Sequence, residues 1–137
     1  MDLLVAIESE RLEIADALAT LTPDQWATQS CCAAWTVQEV AAHLTQGWNY
    51  SLAHGMTQML RARGDLGKVN SRCVAPLAAA GTEAIVADLR KNAASAFKPP
   101  GMGFEAPLND LVIHRRDMFL PLGIAYESPP ALIENSL

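Results

Sequence analysis

Apolar residues recur along this chain at the spacing of a helix, and nowhere in an alternating run that reads as a strand. Over residues 3 to 21, Leu4, Ile7, Leu12, Ile14, Ala15 and Leu18 make the apolar pattern, with Glu8, Glu10, Glu13 and Asp16 largely on other faces. A start signal follows: Thr22 as cap, Pro23 at the first helical position, and Trp26 to tuck under neighbouring elements. A second helix opens at Thr36, where Glu39 three residues on completes a capping box. It is expected to run to about Leu60 unless Gly47 or Gly55 bends it. "RARGDLGKVNSR" reads as a polar, glycine-containing connection. A third helix is expected over about residues 75 to 96, or from Thr82 and Glu83 after Gly81. "KPPGMGFEAP" breaks any helix. A fourth helix starts near Pro107 and stops at Pro121 and Gly123. The predicted architecture is all-α: a four-helix bundle over residues 1–125 with a long connection between helices 2 and 3, then a C-terminal tail over 126–137.

Composition agrees with one packed domain. The chain has 137 residues, half of them hydrophobic and 18% charged, enough apolar side chains to bury a core. The net charge of -5 argues against nucleic acid or an anionic membrane as partner. No apolar run nears the roughly 20 residues that span a bilayer. "MDLLVAIESE" lacks the basic start and cleavage site of a signal peptide, so a cytoplasmic protein is expected. Cys31, Cys32 and Cys73 are odd in number and lack CxxC spacing, so they read as structural or incidental thiols.

Several polar residues do not fit a plain bundle. In "PLNDLVIHRRDMFLPLG", Leu108, Leu111, Val112, Met118 and Phe119 form one stripe, and Asp110, His114 and Asp117 a second. Asp110 and His114 are one turn apart, so they either share a divalent metal or hydrogen-bond each other. Arg115 falls in the apolar stripe. Either it finds a partner among Glu10, Glu13 and Asp16, or it snorkels to the bundle end. In the second helix Val37, Leu44 and Trp48 define the apolar face, flanked by Val40 and Ala41. His43 lies about 120° from its centre, with Gly47 one turn on leaving open space beside the imidazole. On a continuous helix His54 faces the same way about 16 Å further along, a surface or substrate-side residue with no assigned role. Taken alone His43 reads as a packed core histidine. His43, Asp110 and His114 together make a three-ligand set of the kind bundle cores present from facing helices. Two nitrogens and one carboxylate suit zinc, and also nickel, iron(II) or manganese. Three protein ligands leave a coordination position open for chemistry.

The stretch "LTPDQWATQSCCAAWTVQEVAAHLT" resembles the first signature of the mycothiol-dependent maleylpyruvate isomerase N-terminal domain family, within the DinB-like metalloprotein superfamily. "LNDLVIHRRDMFLPLGI" resembles its second signature, and "GKVNSR" the asparagine-containing link between them. The resemblance reaches to about Ile124. It implies a helical bundle with a divalent metal, usually zinc, on His43, Asp110 and His114. It also implies mycothiol, a small thiol of actinobacteria, as co-substrate at the open position. Arg115 and Arg116 are then the residues to receive the thiol or an anionic substrate. Two departures stand out: the family's Cys-Pro-Gly-Trp turn is Cys32-Ala33-Ala34-Trp35 here, and the isomerase's acidic Glu is Asp110.

The expected function is a metal- and thiol-dependent transferase or isomerase of a small-molecule substrate. Two alternatives stay open. One is a non-catalytic bundle for dimerisation or small-ligand binding. The other is a subunit whose site is completed by a partner or by a second copy in a homodimer, motivated by the apolar "PPALI" of the tail.

Overall fold

The computed structural model describes residues 2–126. Among them every regular element is a helix: α1 (Leu3–Leu18), α2 (Pro23–Trp26), α3 (Val37–His43), α4 (Gln46–Asn49), α5 (Leu52–Arg61), α6 (Leu66–Ala79), α7 (Thr82–Lys91) and α8 (Glu105–Phe119). The expected tail lies outside the described residues but for Tyr126. The all-helical class is as predicted, but the described residues form eight helical segments where four helices were expected.

Each cut has a local cause. The first helix ends at Leu18, and the chain turns through Thr20 and Leu21 onto the carbonyls of Ala17 and Leu18. The next start is as expected: Thr22 and Gln25 make a capping box, Pro23 opens α2, and Trp26 is buried. The long second helix breaks twice, and at neither glycine. The buried Thr45 turns its hydroxyl onto the Ala42 carbonyl at 2.8 Å, which competes with helix propagation and ends α3. Tyr50 is extended, with φ -128° and ψ 139°, and Ser51 caps a new helix by accepting from His54 N at 3.1 Å. Gly47 and Gly55 stay inside α4 and α5.

The stretch read as a polar connection is mostly helix. Asp65 caps α6 by accepting from Lys68 N at 3.2 Å, and Val69, Cys73 and Val74 are buried along it. Interspersed charges hide that stripe in the sequence. Gly81 separates α6 from α7 with a φ of +103°, a conformation that glycine adopts at little cost. The second of the two expected starts for the third helix is therefore the observed one.

α1 packs between α7 and α8, and α3 packs between α6 and α8, with α6 also touching α7. Ile7, Ile14, Ala15 and Leu18 of α1 meet Leu108, Leu111, Met118 and Phe119 of α8 in one core that also takes Val37, Val40 and Ala41 of α3. Each such large side chain contributes about 1.5–3 kcal/mol on burial. Leu4 and Leu12 are exposed instead, because the side of α1 that meets both neighbours is set by Ile7, Arg11, Ile14 and Leu18. The Arg115 guanidinium reaches α1. Its Nη1 donates to Glu10 Oε1 and Oε2 at 2.9 and 3.0 Å and to Glu13 Oε2 at 3.0 Å. Asp16, the third candidate, pairs with Arg90 at 3.0 Å. α5 stands apart: it packs on α6, and Leu52, Met56 and Leu60 leave it exposed.

Candidate metal centre

The facing pair α3 and α8 brings His43, Asp110 and His114 together. Thr36 sets the start of α3: its hydroxyl accepts from Glu39 N at 3.3 Å, while Glu39 Oε1 accepts from Thr36 N at 3.1 Å. His43 falls in the last turn of that helix. Before it, the turn "SCCAAW" is tied to α8 by Cys31 N donating to the Asp117 carbonyl at 2.9 Å. Gln29 and Ser30 close the turn by donating to the Trp35 carbonyl at 2.8 and 2.7 Å. Trp35 is thereby laid against His43, ring centroids 5.0 Å apart, and His43 meets His114 edge-on at 4.8 Å.

One potential ligand atom from each of the three residues lies within 4.8 Å of the others. Asp110 Oδ1 is 3.1 Å from His114 Nε2, and Oδ2 is 3.8 Å from His43 Nε2. Both imidazoles are 15% exposed and the carboxylate 49%, so the carboxylate edge is the open side. Burial pushes the Asp110 carboxyl up, but hydrogen bonds and charge from His114 and His43 outweigh it and hold the group well below the usual carboxylate range. Burial pulls His114 down, yet Asp110 and Asp117 together raise it above the ordinary histidine value.

The outer nitrogens are already engaged. His43 Nδ1 is 3.1 Å from Gln46 Oε1, and Gln46 Nε2 donates to Asn70 Oδ1 at 3.2 Å, which aims the amide oxygen at the ring. His114 Nδ1 is 3.1 Å from Asp117 Oδ2. In both rings Nδ1 is thus the donor, so in the neutral ring Nε2 presents a lone pair. At His114 that lone pair meets a carboxylate oxygen at 3.1 Å, acceptor against acceptor. Such a contact is stable only with a cation between the two atoms, either a proton or a metal. Zinc bonds of about 2.0–2.2 Å in a tetrahedron set donor atoms about 3.3 Å apart. The 3.1 Å between His114 Nε2 and Asp110 Oδ1 is close to that spacing, and one donor atom from each of the three residues falls within 4.8 Å of the others, so the donor types fit the group and the set would draw together around it.

Beside the cluster runs a cleft of about 350 Å³ with His43 and Asp110 on its wall, lined otherwise mainly by apolar residues such as Trp48, Phe97 and Met102. The space expected at Gly47 is taken: the Phe97 ring lies where a Cβ would stand. Gly47 permits the close approach of Phe97, and the opening beside His43 is the cleft itself. His54 sits on the separate helix α5 and stacks on Tyr50 at 4.6 Å, because the breaks at Thr45 and Tyr50 take it off the axis it was expected to share. Arg115 is committed to Glu10 and Glu13, and Arg116 is exposed about 200° around α8 from His114. The three cysteines are free thiols.

Sequence reading passed over Gln46 and Arg11, and gave Asn70 and Asp117 no role at the site. Gln46 and Asp117 each follow a candidate histidine by three residues, a spacing that puts them on the same helical face. Arg11 continues the Ile7, Ile14, Leu18 stripe. Asn70 is the asparagine of "GKVNSR", but no local spacing ties it to the histidines, since only the packing of α6 on α3 and α4 brings it to Gln46.

Fold and cluster define an all-helical bundle carrying two histidines and an aspartate between facing helices. The family model described as the mycothiol maleylpyruvate isomerase N-terminal domain matches residues 7–98, and the chain belongs to that family. His43 falls inside the matched residues, while Asp110 and His114 lie beyond them. No curated protein and no solved structure gives a significant match.

Proposed function

We propose that His43, Asp110 and His114 hold one divalent metal, zinc in the first place and nickel in the second. On this reading the protein is a thiol-dependent transferase or isomerase. The observation that carries it is the acceptor-to-acceptor contact of His114 Nε2 with Asp110 Oδ1 at 3.1 Å, with Nδ1 of the same ring bonded to Asp117. His43 Nε2 faces the same carboxylate with its own Nδ1 held by Gln46. Both outer contacts select the tautomer that ligates through Nε2. Membership of the family points to mycothiol as the thiol. A divalent cation held by His43, Asp110 and His114 would supply a positive charge that favours the nucleophilic thiolate form of the thiol near neutral pH. The residues of the chain do the rest. Gln46 and Asp117 orient the imidazoles, and the apolar cleft wall of Leu44, Trp48, Phe97 and Leu111 receives the substrate body and limits water.

The test is elemental analysis of tag-free protein purified without chelator. A single equivalent of zinc or nickel per chain is expected, lost in His43→Ala and in His114→Ala while the helical circular dichroism is kept. Thiol-dependent transfer or isomerisation should be lost with it. Full metal occupancy in either variant overturns the reading.

A second reading, a non-catalytic module that binds a partner or a second copy, is favoured by the exposed apolar residues Leu52, Met56 and Leu60 on α5. It expects no stoichiometric metal, and self-association that Leu60→Glu abolishes.

A further inference from the structure

The cleft beside the histidine cluster contains a cation without a counter-ion. Arg11 lines it, on the buried side of α1, and is 3% exposed. Nη1 donates to the carbonyls of Ala93 and Ser95 at 3.0 and 2.8 Å. The guanidinium carbon lies 4.9 Å from the Trp48 ring centroid, and the Trp48 indole is itself fixed by Nε1 donating to Asp88 at 3.0 Å. Nε is buried with no hydrogen-bond partner, as is Nε of Arg115, so the difference between the two arginines lies in their counter-ions. Among the described residues no carboxylate pairs with Arg11. The other buried arginine makes the contrast: Arg115 has two carboxylates. A guanidinium withdrawn from water without an opposite charge is costly, and two carbonyls and an aromatic face offset only part of that.

We propose that Arg11 is the anion-binding pole of the cleft, and that the ligand is a small carboxylic acid with an apolar body. Its carboxylate sits on the Arg11 guanidinium, its body lies against Trp48, Phe97 and Met102, and its far end points to His43 and Asp110. The role of that far end rests on the metal reading of the cluster. The Arg11 subsite does not. A guanidinium suits this task because its planar fork matches a carboxylate and it stacks on an aromatic face while doing so. The guanidinium is also held in place beforehand: the Ala93 and Ser95 carbonyls take both Nη1 hydrogens, which leaves the Nε and Nη2 edge for the carboxylate.

The test uses the full chain, once zinc-loaded and once zinc-free, with hexanoate and its uncharged counterpart hexanamide as probes. Nuclear magnetic resonance follows the Arg11 Nε–H and Trp48 Nε1–H signals. Hexanoate should shift both in either metal state, with hexanamide binding roughly tenfold more weakly or not at all. Arg11→Gln should bring hexanoate down to the level of hexanamide while zinc binding is unchanged, and Arg11→Lys should keep part of the preference. Equal binding of acid and amide overturns the inference, as does a hexanoate shift confined to His43 and His114. If Arg11→Gln does not fold, the acid–amide comparison on the unaltered chain still decides. If zinc fails to bind but hexanoate shifts Arg11, the metal reading falls and this inference stands.

Discussion

At the scale of single residues, the cluster depends on where each imidazole proton sits. Asp117 Oδ2 accepts the hydrogen bond from Nδ1–H of His114, which keeps that proton on Nδ1 and turns the Nε2 side toward Asp110. Asp117→Asn removes that charge and also offers an amide donor to the same nitrogen. Zinc affinity should fall by about 10–100-fold with the fold intact, as measured by competition with a chelating dye. Glu10 makes a second residue-scale prediction. Burial raises its carboxyl above the usual 4.5, against the opposing pull of Arg115. Between 4.5 and the raised folded value, the folded state therefore binds more protons than the unfolded state. That contribution to stability is complete below pH 4.5 and is lost as pH rises through the folded value. Urea unfolding at a series of pH values should show Glu10→Gln lacking this downward slope relative to the unaltered protein. Parallel slopes would mean that Glu10 does not keep its proton.

At the scale of elements, α3 and α8 are the two that matter most for the site. The capping box at Thr36 and Glu39 fixes where α3 begins, and so which turn carries His43. Thr36→Ala should cost about 1 kcal/mol in thermal or urea unfolding. Phe119 closes the core beneath α8 and is fully buried, so Phe119→Ala should cost about 3–5 kcal/mol. Gly47 lies under the Phe97 ring, which belongs to the loop between α7 and α8 and is 40% exposed. Gly47→Ala gives α4 a better helix former, worth about 0.5–1 kcal/mol, but pushes that ring away. The expected outcome is a folded protein with a reshaped cleft, seen as altered hexanoate affinity and a moved Phe97 ring signal.

At the scale of the whole molecule, a site shared by α3 and α8 ties together the two halves of the bundle. The facing helices come from residues more than sixty apart in the chain, so the cluster exists only in the folded state. A metal that binds there should stabilise the fold by linkage, about 2.7 kcal/mol at a free concentration 100 times its dissociation constant. Thermal unfolding with and without zinc measures this, and His43→Ala should show no shift. Among the described residues no helix is long and apolar enough to cross a membrane.

Much of this was legible before any coordinates. Helical periodicity, the capping boxes and the Gly-Pro breaker define an all-helical chain, and the Asp110 and His114 spacing marks the α8 half of the cluster, with His43 added as a candidate from a facing helix. These are local signals, because caps and i to i+4 faces depend on neighbours along the chain. What the sequence concealed was long-range. The breaks at Thr45 and Tyr50 come from side-chain and backbone choices that a hydrophobic pattern does not register. The buried face of α6 lies among charges. The partner of Arg115, the occupant of the space at Gly47 and the isolation of Arg11 were decided by which helices meet. Spacing states which side chains share a face. Only tertiary packing brings that face against another, removes water from between them, and leaves one buried cation paired and another waiting for an anion.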